Sequence, residues 1–174
     1  MNASRLALAL SVVAVLLAGA AFWETRSIAS LAENAAADPG SEALAGYVPG
    51  LGEIMTAVQM RHAKLGVAGQ RGNWPLADYE LDELDEGLID ALTLHPTHKD
   101  IKQPLTDSIP AFMKTPIDTL RAAVKAKDAA KFMAAYDELT AGCNGCHQAT
   151  EFGFNVVTRP NAVPVPNQDF APAP

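Results

Sequence analysis

Cysteine is scarce in this chain, with two in 174 residues. A structural zinc site takes four ligands, from paired C-x-x-C halves or from a cysteine pair and a distant histidine pair. Only His62, His95 and His98 are left to complete such a site, and their spacing matches neither arrangement. Positive charge is also short: 13 Lys and Arg against 20 Asp and Glu give a net charge of −7. An acidic chain has no electrostatic basis for binding nucleic acid. Alternation at period two is confined to residues 154–158, and one short strand-like run makes no sheet. With no strand beside the cysteines, a thioredoxin-like dithiol lacks its usual βαβ setting. No internal repeat is present.

What the sequence has instead is helical periodicity. Residues 51–68 place Leu51, Met55, Val58, His62 and Leu65 on one face, and Gly66, Gly69 and Gly72 are expected to end that helix. Residues 76–94 carry Ala77, Leu81, Leu84, Leu88 and Leu92 as a buried stripe, with Pro75 suited to the first turn. Glu80, Asp82, Glu83, Asp85, Glu86 and Asp90 cover the other faces with no Lys or Arg among them. They are expected to face solvent, or to form a docking patch for a basic redox partner. Residues 104–127 direct Leu105, Ile109, Phe112, Leu120 and Val124 inward, and Pro110 and Pro116 are expected to kink or split this helix. The last helix starts near Asp128, an N-cap residue. Its stripe runs Phe132, Tyr136, Leu139, Cys143 and Cys146 at steps of four, three, four and three. Short connections between four amphipathic helices imply an all-α, antiparallel four-helix bundle over residues 50–153. Residues 154–174 read as a proline-rich, extended tail, and 21–49 as a linker.

Both cysteines fall in Cys143-Asn144-Gly145-Cys146-His147, the C-x-x-C-H signature of covalent c-type haem attachment. The two thiols add across the two vinyl groups of haem, and the two-residue spacer lets both sulfurs reach one porphyrin edge. The histidine is carried under the iron as its proximal axial ligand. The expectation is one haem c on the last helix, with Cys143 and Cys146 as thioether residues and His147 as iron ligand. A plain disulfide would leave His147 unexplained.

The N-terminus suits that compartment. An apolar run at 6–23 follows Arg5, and Ala18-Gly19-Ala20 is a small-x-small cleavage site, so residues 1–20 read as an export signal. The run of 18 residues is also the lower limit for a spanning helix, so a retained anchor to about residue 23 stays open. Either way the functional domain is expected in the periplasm.

A C-x-x-C-H near the end of the last helix of an acidic, exported four-helix bundle resembles the cytochrome c prime family. The stretch Phe132-Met133-Ala134-Ala135-Tyr136-Asp137-Glu138-Leu139 leading into Cys143 is similar to that family's last helix. The resemblance implies haem c, His147 as proximal ligand and a distal side supplied by the first helix. An apolar residue there would leave five-coordinate iron that binds nitric oxide or carbon monoxide; a methionine would give a six-coordinate electron carrier. Met55 is the first candidate for distal ligand and His62 the second, with an open site as the third reading. Met60 is off the stripe, and His95 and His98 are expected in a solvated loop. Arg61 and Lys64 could pair with haem propionates. The chain departs from the family in having Glu151 and 27 residues after His147, where the family ends within about a turn.

Two functional classes follow: electron transfer in the periplasm, or binding and sensing of a small gas. No acid–base or nucleophile constellation accompanies the motif, so catalysis is not expected. The partner expected is a redox protein, with no nucleic acid, and with membrane contact only if the leader is retained. A homodimer is left open.

Overall fold

The computed structural model describes residues 46–172. The leader-like run at 6–23 and most of the linker lie outside them. Helix α1, Leu51–Gln70, starts where the Glu53 carboxylate accepts the Gly50 N–H at 2.8 Å. It runs through Gly66 and Gly69 rather than ending there. Both glycines face the last helix, α4, Ala129–Ala149, and space is the reason for them. A Cβ at Gly66 would lie 2.6 Å from the Tyr136 ring, and one at Gly69 would overlap the Phe132 ring. The break comes at Gly72, whose φ of 70° is the left-handed turn conformation that glycine adopts freely. Asn73 then caps α2, Trp74–Leu94, by accepting the Leu76 N–H, with Pro75 in the first turn as its missing donor allows.

Helix α3, Leu105–Ala126, is continuous across Pro110 and Pro116, so the expected split does not occur. Each proline removes one backbone donor. The helix is held instead by an apolar face of Leu105, Ile109, Met113, Ile117, Leu120 and Val124, all buried. Pro116 leaves the Phe112 carbonyl without its helical partner. Gly142 of α4 packs over that oxygen, where a Cβ would come within 2.7 Å. Lys127, at φ 54°, reverses the chain, and Asp128 caps α4, Ala129–Ala149, by accepting the Lys131 N–H at 3.0 Å.

The four helices close a ring: α1 packs on α2 and α4, and α3 packs on α2 and α4. Cross-helix partners run antiparallel. His62 meets Thr140 while Gly69 meets Phe132, and Arg121 reaches Asp82 and Asp85. This is the four-helix bundle expected from the periodicity. Among the described residues there is no strand, only an isolated bridge between His98 and Ile101, and no helix is long and apolar enough to cross a membrane.

The two ends of the bundle are filled differently. At the end holding both tight turns, Trp74 packs edge-on against Phe132, which lies 5.9 Å from Tyr136, and Phe170 is buried. Rings fill the core there. At the other end, where α1 begins and α4 finishes, the core is aliphatic and leaves a cleft.

Asp82, Glu86 and Asp90 are exposed, as expected of a solvated acidic face, but Glu80 is not. Glu80 has no exposed surface and is ion-paired with Arg61, at 3.2 Å, and with Lys64, both on α1. Arg61 also meets Glu83 at 2.7 Å and lies over the Tyr79 ring. Asp82 and Asp85 hold Arg121 of α3. A one-dimensional charge pattern shows no partner on α2 because the partners lie on the neighbouring helices. Arg61 and Lys64 are therefore committed to α2.

Candidate functional site

The C-terminal two turns of α4 carry Cys143, Cys146 and His147 to the open end of the bundle. All three line one cleft of about 250 Å³. Its floor is apolar, from Val58, Leu88, Leu105, Ile109 and Met113, and its α1 wall presents Leu51, Met55 and Gln59. Met55, placed by the sequence on the inward face, is half-buried on that wall.

Both thiols are free. Burial, then the neighbouring Cys146, push the Cys143 thiol up to about 12, and burial raises Cys146 as well. A redox dithiol needs the opposite, a thiolate stabilised at a helix N-terminus or beside a cation. These cysteines sit at a helix C-terminus, the negative end of its dipole. Nor do the described residues gather three or more His, Cys, Asp or Glu side chains into a metal cage, so the zinc alternative has no site among them. A porphyrin brings its own four nitrogens, so a haem iron asks this chain for only one or two axial ligands. Free thiols one helical turn apart, an adjacent imidazole and a shared apolar cleft make a donor set that fits such a group.

His147 is oriented by the chain that follows. Its Nδ1 lies 2.6 Å from the Asn155 carbonyl. A carbonyl only accepts, so Nδ1 carries the proton, and it is Nε2 that holds the lone pair whenever the ring is neutral. That is the tautomer a metal-ligating histidine needs when its second nitrogen is fixed by a backbone carbonyl.

His62 also borders the cleft, but both of its nitrogens are engaged in the core. Nδ1 lies 3.0 Å from the Tyr136 hydroxyl and Nε2 lies 2.9 Å from the Thr140 hydroxyl, with the Tyr136 ring stacked at 4.6 Å. Burial lowers its pKa to about 4, so the ring is neutral at pH 7.

Sequence reasoning missed several lining residues. His98, expected in solvent, lines the cleft, and its Nδ1 accepts the Asp100 N–H at 3.3 Å. His95 is half-buried, its Nε2 bonded to the Pro49 carbonyl at 2.8 Å. Phe152, just past α4, and Asn155 and Val157, from the segment read as an extended tail, form a further wall. The brief alternation at 154–158 did not signal that wall: its apolar residues Phe154 and Val156 are exposed, and Val157, out of phase with them, is the buried one. No family model, curated protein or solved structure matches this chain.

Proposed function

We propose that this chain is a c-type cytochrome that carries one haem and transfers single electrons in the periplasm, a divergent relative of the cytochrome c prime family. One observation carries the reading. The two free thiols and His147 line a single apolar cleft, and His147 has its Nε2 lone pair left for a metal by the Asn155 carbonyl. When bound, haem supplies an iron that cycles between ferric and ferrous with no other bond made or broken. The residues do the rest. Cys143 and Cys146 would hold the haem as thioethers, each S–H having been added across one vinyl group with no net oxidation. His147 donates its lone pair, and the aliphatic floor excludes water.

Met55 is the distal ligand in this reading. It is half-buried on the α1 wall of the same cleft, whereas both His62 nitrogens already serve Tyr136 and Thr140. A thioether is soft and neutral, and it raises the reduction potential.

The test is covalent haem. Protein matured with c-type assembly machinery should keep its haem through acid–acetone extraction and give a pyridine haemochrome typical of two thioethers. The Cys143→Ala, Cys146→Ala double variant should release it. Haem that stays bound in that variant, or a wild type that carries none, overturns the assignment.

A further inference from the structure

Beyond α4 the chain turns at Glu151, whose φ is 68°, and the Phe152 N–H donates to the His147 carbonyl at 2.7 Å. A second turn, closed by the Asn155 N–H on the Phe152 carbonyl at 2.8 Å, delivers the strap to the cofactor motif. Asn144, the first residue between the two cysteines, then holds one strap residue at both polar groups. Its Oδ1 accepts the Val157 N–H and its Nδ2 donates to the Val157 carbonyl, each at 2.8 Å. This is the pairing of a sheet ladder made by a side chain. It is made beside the cleft, with Val157 itself 7% exposed. One helical turn on from Asn144, and two residues back along the strap, lies the bond between His147 Nδ1 and the Asn155 carbonyl. The strap runs on past Asp137, where Arg159 pairs, to a buried Phe170 whose carbonyl accepts from Asn73.

A free tail would make neither contact. A tail that only covered apolar surface would have no need to match both polar groups of Val157 from inside the C-x-x-C-H motif. We infer that the strap positions His147: Asn144 latches it, and the Asn155 carbonyl held in place by that latch sets the tautomer and the donor strength of the imidazole toward a haem iron. The inference rests on the haem reading above. Sharing the Nδ1 proton with a carbonyl makes the imidazole a more basic ligand. A more basic ligand favours ferric iron, so the latch holds the reduction potential down. Asn144 is a positioning residue, acting through Asn155 and His147.

The experiment compares holoprotein of the wild type with Asn144→Ala and Phe170→Ala, neither of which alters charge. Haem content is read first from the pyridine haemochrome, then the potential by redox titration and the ferrous iron–histidine stretch by resonance Raman. Asn144→Ala should move the ferrous-to-ferric ratio at fixed ambient potential about tenfold toward ferrous, or about 59 mV for one electron, and lower the iron–histidine frequency. Phe170→Ala should lower the melting temperature and leave the potential and the frequency where they were. Equal potential and frequency in wild type and Asn144→Ala, with haem present in both, overturn the latch alone. A wild type without haem overturns the functional reading and the latch together. If Asn144→Ala carries no haem, Asn144→Ser, which keeps a hydroxyl for Val157, is read in its place. Loss of haem in both variants would make Asn144 a maturation residue and overturn its positioning role.

Discussion

At the scale of single residues, His62 shows how a histidine on an apolar stripe divides between two roles. Its position on the inward face was legible from the spacing with Val58 and Leu65. What the spacing did not show was that Tyr136 and Thr140, more than seventy positions away on α4, take both nitrogens. The resulting stability should depend on pH. The folded pKa is about 4, below the ordinary 6.5, so acid protonates the unfolded chain first. Stability contributed by the neutral ring is present above about 6.5 and is lost as pH falls toward 4, by roughly 3 kcal/mol in all. Urea unfolding at pH 7, 5.5 and 4 should show that decline in the wild type and a shallower one in His62→Gln. Parallel declines would place the acid sensitivity elsewhere. Met55 makes the second residue-scale prediction. As distal ligand it should give the ferric protein a weak near-infrared methionine–iron charge-transfer band. Met55→Ala should remove the band and open the ferrous iron to carbon monoxide. A high-spin wild type that already binds carbon monoxide rapidly would instead make the protein a gas binder.

At the scale of elements, the four helices were legible because each buries one stripe, and the stripe period survives local disturbance. Pro110 and Pro116 weaken α3 without dividing it, since Ile109, Met113 and Ile117 stay buried on one face throughout. Gly66 and Gly69 misled for a related reason. A glycine that makes room for a ring on another helix looks, along one chain, like a glycine that stops its own. The ion pairs between elements were illegible for the same cause: Glu80 lies on α2 and its partners Arg61 and Lys64 on α1. A buried carboxylate is costly unless compensated, and removing its charge takes from Lys64 its carboxylate and leaves Arg61 with Glu83 alone. Glu80→Gln should therefore destabilise the bundle by roughly 1–3 kcal/mol, read as a lower urea midpoint at unchanged slope. A neutral result would mean that the cations turn outward to water at no loss. The C-x-x-C-H motif was fully legible, being local; the wall that completes its cleft was not, because residues 152–157 matter through what they touch.

For the whole molecule, the difference between the two ends sets where the fold is firm. The ring-filled end has Phe132, Tyr136, Leu65 and Leu81 with no exposed surface, while the cleft end keeps half-buried Leu51, Met55 and Ile101 around open space. Local opening follows contact density. Native-state hydrogen exchange should find the slowest amides in residues 62–68, 81–84 and 132–139. In protein prepared without haem, 51–56, 101–109 and 143–157 should exchange faster. Loading the cofactor should slow that second group and leave the first almost unchanged. Uniform protection across both ends without haem would contradict the division.

The strap also has a place in time. Its anchors lie far back in the chain, at Asn73 in the α1–α2 turn and at Asp137 and Asn144 on α4. Asp137 and Asn144 need only α4 to be formed, whereas Asn73 is in reach only once α1 and α2 have packed beside α4. The strap is thus fastened in two parts, the first by one helix and the second by the assembled bundle. On the haem reading, both thiols have to be reached before the first part closes beside them.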